Sequence, residues 1–333
     1  MKIKYFATYL LFLALFMIQT FGFAQSGSKA TSGAGLYKDK IFWVNWDLNS
    51  NSLSEDNITE GTIRTFISPS GILYKVTISN IVKTAYNSYG TNFTSANVDS
   101  WSGNNMPSGY GGFSNNSTKV IGLSNKKESN QSGDASKVSF RITVTATLPN
   151  GTVINAAALA IAGSESLSGN SEYYQLSVPV GSPPLRYLDK YIKDNKWADM
   201  KVRLTVSNGR RIIKATNPTF EDSKGDALLL AENVPYIDVE LKGGGGQHVA
   251  IGIFEELDYS DAPVSYGSAY HVVNSVFVGG DLADGVHDLS TTSNLLDQDR
   301  AKLSVDPLLL IGTTVDTEAN VYNASPGGGS YWR

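Results

Sequence analysis

Two carboxylates, Glu165 and Glu172, flank a Gly/Ser turn. Such a pair could hydrolyse a glycoside if the groups converge, one as acid and one as base or nucleophile. Two loop carboxylates in water are the plainer reading. The three histidines, His248, His271 and His287, are scattered and match no metal-ligand spacing. His248 opens an alternating strand and reads as a surface or edge residue. No G-x-S-x-G elbow is present. Asp47, Asn49 and Asn51 match positions 1, 3 and 5 of a calcium loop, but Ser52 and Ile58 occupy the two geometric positions, 6 and 12. Chemistry by recognition has better candidates. Trp43 and Trp46 are three apart, so on a strand they point to opposite faces. Either both are core residues, or Trp46 turns outward to stack on a sugar or peptide. Trp101 and Tyr110 lie in a glycine-rich loop, where an aromatic either contacts a ligand or folds back over the sheet.

The elements that must hold these residues are strands. Phe140, Ile142, Val144, Ala146 and Leu148 alternate with Arg141, Thr143, Thr145 and Thr147, then meet Pro149-Asn150-Gly151. This is a half-buried strand followed by a turn that tolerates positive φ. Ile72 to Ile78 and Met200 to Val206 repeat the pattern, the latter stopping at Asn208-Gly209. Ile237, Val239 and Leu241 lead into Gly243–Gly246, and Val249, Ile251 and Ile253 lead out. Many one-sided strands with tight turns predict an all-β fold, an antiparallel β-sandwich. One segment departs from this. After Pro183-Pro184, residues Leu185, Leu188, Tyr191 and Ile192 fall at helical spacing and predict one short amphipathic helix.

The chain has 333 residues, no cysteine, 41% hydrophobic residues, 17% charged residues and a net charge of −4. The apolar fraction excludes a disordered chain. Absence of cysteine excludes disulfide scaffolds, thiol catalysis and iron–sulfur sites. A mildly acidic balance argues against nucleic-acid partners. Lys2 and Lys4, the apolar run Tyr5 to Ile18 and the small residues of Gly22-Phe23-Ala24 predict a signal peptide over residues 1–24. No later run is long and apolar enough to span a bilayer, so no membrane insertion is expected after its removal. The expected location is secreted or cell-surface. A flexible leader over 25–35 precedes a sandwich domain over 36–257. A small β-rich module over 258–333, with weaker strand signals and more Asp, Gly and Ser, completes the organisation.

From Ile41 to Ala262 the features resemble a known family. They are Trp43-x-x-Trp46-Asp47, Ala162-Gly163-Ser164-Glu165-Ser166, the run Gly243–Gln247, Ile251-Gly252-Ile253, and Leu257 to Pro263. This order is similar to the second non-repetitive domain of CshA-type fibrillar surface adhesins. The segment from Asp258 resembles a GEVED-type module, with Leu310-Ile311-Gly312 and Asp316 to Ala319 as its apolar-Gly and Asp-x-Glu elements. Ser260 replaces the usual Gly, and the acidic ending is missing. The resemblance implies a lectin-like or jelly-roll sandwich that is not an enzyme. It implies binding of host extracellular-matrix protein, of the fibronectin kind, or of a surface glycan. Trp46, Trp101 and Tyr110 are the expected ligand contacts. A carbohydrate-binding module and a β-sandwich glycoside hydrolase are the alternatives. No cofactor is required, but in the second module Asp258, Asp261, Asp316 and Glu318 could gather as oxygen ligands of calcium, with ordinary turn chemistry as the simpler account.

Overall fold

The computed structural model describes residues 27–305, apart from 48–55, 69–70, 85–90, 100–102, 114–119, 128–135, 156–157, 168–171, 180, 184, 193–200, 208–209, 218–224, 244–245, 256, 260–269, 273–274, 282–284 and 289–299. The expected signal peptide lies outside the described residues, as do Trp101, Asp261, Asp316 and Glu318.

In chain order the first strands are β1 (Gly27–Ser28), β2 (Ile41–Val44), β3 (Ile63–Ile67), β4 (Leu73–Thr84), β5 (Thr91–Ala96), β6 (Gly122–Lys127), β7 (Ser136–Thr147), β8 (Val153–Asn155), β9 (Ala158–Gly163) and β10 (Tyr173–Pro179). They continue as β11 (Arg186–Ile192), β12 (Lys201–Ser207), β13 (Arg210–Thr216), β14 (Gly225–Glu232), β15 (Ile237–Gly243), β16 (Gly246–Phe254), β17 (Leu257–Tyr259), β18 (Tyr270–Val272), β19 (Ser275–Val278), β20 (Gly285–Asp288) and β21 (Lys302–Val305). A single 3-10 turn, Met106–Ser108, is the only helical element among the described residues.

Strand β7 shows why the chain extends here. Its twelve residues alternate buried and half-buried without a break. Val138, Phe140, Ile142, Val144 and Ala146 are removed from water while Lys137, Arg141 and the threonines line the other face. Burying a side chain such as Phe140 contributes about 2–3 kcal/mol. The expected turn follows: Gly151 has φ of 86°, and the Thr152 amide donates to the Asn150 side chain. β8 then pairs back onto β7.

Two antiparallel sheets face each other. The nine-stranded sheet runs β20-β12-β13-β10-β15-β7-β4-β3, with β8 beside β7. The eight-stranded sheet runs β1-β2-β16-β9-β14-β11, with β6 joining β16 and β5 joining β6. Phe140, Val144, Leu176 and Val239 of the first sheet meet Leu159, Ile161, Leu229 and Ile251 of the second in one apolar core. The predicted β-sandwich is therefore present. The consecutive strands β15 and β16 belong to different sheets.

The eight-stranded sheet is covered on its other face as well. Trp43, Ala160, Ala162, Leu228, Leu230 and Ala250 form a second core with Met106, Tyr110, Phe113, Phe277 and Ala301 from the covering segments. Small residues on this face let the cover approach closely. A Cβ at Gly109 would stand 2.6 Å from the Tyr191 Cβ.

This double burial corrects the expected helix. Residues Arg186–Ile192 form strand β11, paired with β14. Tyr187 enters the inner core while Leu188 and Tyr191 enter the outer one. A register shift between Tyr187 and Asp189 breaks strict alternation. A two-sided apolar strand with one bulge thus produces the i, i+3 spacing of a helix.

Described residues past the expected boundary at 257 join the sandwich. β20 pairs with β12 at the sheet edge. The Tyr187 amide donates to Gly280, and the Ala301 amide donates to Tyr187.

Candidate functional site: the Asn104–Glu165–His248 recess

Strand β16 is central to its sheet, contacting β2, β6 and β9. Along it Val249, Ile251 and Ile253 face the inner core. His248 has the opposite parity, shared with Ala250 of the outer core. It sits opposite Ser124, which sits opposite Thr94. The chain leaves β9 beside it, and the Ser164 amide donates to the His248 carbonyl at 3.0 Å. Glu165 follows, its side chain 10% exposed, with Oε2 3.7 Å from His248 Nε2.

The Val98–Phe113 segment closes over this point. Asn104 is bridged in antiparallel fashion to Glu165. The Asn105 amide donates to the Ser164 carbonyl at 2.7 Å, and the Ser166 amide to Gly103 at 3.0 Å. The Asn104 side-chain amide donates to the Val98 carbonyl at 2.7 Å. Asn104 Oδ1, Ser164 Oγ and His248 Nδ1 are buried without a hydrogen-bond partner among the described residues.

Burial, with help from the Lys126 charge, pushes the His248 ring down to about 4. The imidazole is therefore neutral at pH 7, and its contact with Glu165 is not an ion pair. Ser124, opposite His248, donates its hydroxyl to the Asn125 carbonyl at 3.1 Å. The reading of His248 as a surface or edge residue is corrected: it is half-buried on a central strand.

A second polar node lies near the outer core. Asp189, 2% exposed, accepts from the Tyr110 hydroxyl at 2.7 Å, the Leu36 amide at 3.0 Å and Arg300 at 2.9 Å. Beyond Tyr191, whose hydroxyl donates to Gly163, Asp226 is fully buried and accepts from Tyr174 and from the Ala227 amide, each at 2.6 Å. Burial pushes the Asp226 carboxyl up to about 7 against those two donors.

These placements revise the expected contacts. Trp43 and Trp46 do lie on opposite sides of the sheet, Trp43 in the outer core and Trp46 in the inner. Both are nevertheless fully buried, because both faces are covered. Trp46 therefore presents no ring to a ligand. Tyr110 is likewise fully buried, edge-on to Trp43 at 5.6 Å, and folds back over the sheet. Asp258 stands in β17 opposite His271. Glu172 is half-buried just ahead of β10. Sequence reasoning missed Asn104, Asp189, Asp226 and Arg300. The Glu165 carboxylate and the outward parity of His248 in β16 were the legible signals.

The family model for the surface adhesin CshA non-repetitive domain 2 matches residues 39–254. The chain belongs to this adhesin family. The match spans the sandwich from just before β2 to the end of β16, and so contains Asn104, Glu165 and His248. CshA-type adhesins are surface proteins, and no helix among the described residues is long and apolar enough to cross a membrane. No curated protein and no solved structure matches the chain.

Proposed function

We propose that this chain is an exported adhesin whose sandwich grips a host extracellular-matrix protein or a surface glycan without transforming it. The observation that carries this reading is the adhesin family match across residues 39–254. The geometry supports it physically. Two packed sheets make a stiff scaffold, and the Val98–Phe113 segment is fastened to that scaffold by paired backbone bonds. Backbone pinned before contact, as at Gly103 and Asn105, loses less entropy on binding. Export by residues 1–24 and a GEVED-type module from residue 258 belong to the same proposal, as does contact through Trp101, whose ring sits at the head of this loop in sequence.

The test is a glycan and matrix-protein array probed with residues 25–333, with Trp101→Ala alongside. Saturable binding to one class, weakened by the substitution, is the expected result. Absence of binding to every matrix protein and glycan, or turnover of a bound saccharide, overturns the reading.

A further inference from the structure

Glu165 Oε2 and His248 Nε2 stand 3.7 Å apart, too far for a hydrogen bond. The same spacing suits two ligands of one metal ion. Ligands at about 2.1 Å from zinc stand about 3.4–3.6 Å apart as their angle opens from tetrahedral to trigonal, and slightly farther as it opens more.

Asn104 supplies an independent observation. It is the bridge partner of Glu165, so the two side chains leave the backbone on one face as neighbours. It is 3% exposed. Its Nδ2 is committed to the Val98 carbonyl at 2.7 Å, which fixes the amide orientation. Oδ1 is thereby turned the other way, buried, with no partner among the described residues.

We propose that Glu165, His248 and Asn104 bind a divalent first-row transition-metal ion, of which zinc is the type, and so clip the Val98–Phe113 segment to β9 and β16. Carboxylate oxygen, ring nitrogen and amide oxygen leave a fourth position for water. The ring nitrogen argues against calcium, which takes oxygen. Lys126 is the opposing charge nearby and keeps the affinity moderate. The site is distinct from the calcium ligands expected at Asp258, Asp261, Asp316 and Glu318, and it does not depend on which ligand the adhesin takes.

The experiment uses residues 25–333, stripped with chelator and titrated calorimetrically with zinc chloride and, separately, with calcium chloride. Zinc should bind saturably at one equivalent and raise the melting temperature, while calcium should not bind here. His248→Gln and Glu165→Gln should each weaken zinc at least about tenfold while keeping the far-ultraviolet circular dichroism of the parent. A His271→Gln/His287→Gln double variant should bind zinc as the parent does. The proposal is overturned if the parent takes up no zinc, if calcium binds and zinc does not, if both recess variants bind as the parent does, or if the double variant is the one that loses the metal.

Discussion

The Tyr174 hydroxyl reaches across from the nine-stranded sheet and donates to Asp226 Oδ1 at 2.6 Å, both groups being out of contact with water. Asp226 holds its proton up to about 7, from an ordinary 3.8, because burial outweighs its two donors. The folded state therefore binds more protons than the unfolded state between about pH 4 and 7. Stability from this group is complete below pH 4 and falls as pH rises through 7. His248 works in the opposite sense. Its ring is pushed from 6.5 down to about 4, so its contribution is present above 6.5 and lost as pH falls through 4. Between pH 4 and 6.5 the two slopes oppose each other. In urea titrations Asp226→Asn should unmask a rise of about 3 kcal/mol over that window, and His248→Gln a fall of about 4 kcal/mol up to pH 7. A wild-type profile that neither substitution changes would refute the assignment.

Gly163 has no room for a methyl group. A Cβ there would collide with Asp226 Oδ2 and stand 2.5 Å from the Tyr174 ring. Gly163→Ala should cost about 3 kcal/mol or more. A denaturation midpoint equal to the parent's would show that the β9–β14 junction yields more easily than its packing indicates.

Asp189 gathers three donors from three separate stretches of chain. Asp189→Ala removes the shared acceptor of a half-buried guanidinium, a buried phenol and an amide, and should cost about 3–5 kcal/mol. Tyr110→Phe removes one neutral donor to a charged acceptor and should cost about 1.5–3 kcal/mol. A double-mutant cycle between the two positions should give a coupling energy well above zero. Additive losses would mean that the two side chains act independently.

Ending the chain at residue 257 removes β20 from its edge, Phe277 from the outer core and Arg300 from Asp189. Phe277 alone is worth about 2–3 kcal/mol. For a domain of this size about 2–4 °C is lost per kcal/mol. Residues 25–257 should therefore melt at least about 10 °C below residues 25–305 in calorimetry. Equal melting temperatures would support the division at 257 as a domain boundary.

The nine-stranded sheet was the legible half of the molecule. β7, β4 and β15 bury one face and wet the other, so the period of two stands in the residues themselves. The eight-stranded sheet hides both faces, and β9 is buried at all six positions. Such a strand carries no alternation to read, which is why Leu185 to Ile192 imitated a helix and why Trp46 and Tyr110 were expected to meet a ligand. The recess was half legible. Glu165 stood out as a carboxylate, but its neighbours Asn104 and His248 arrive through loop closure and sheet pairing. Arg300 lies 111 positions from Asp189, a separation at which spacing carries no information.

Asp189 also has a mechanical meaning. One of its oxygens holds Leu36 on one flank of the chain, and the other holds Arg300 on the opposite flank. Tension drawn between those flanks is shared by this carboxylate and by the Tyr37 hydroxyl, which donates to the Ala301 carbonyl at 3.2 Å. A protein pulled by flowing medium on a cell surface meets that load at one compact knot, tied across the edge strand β11.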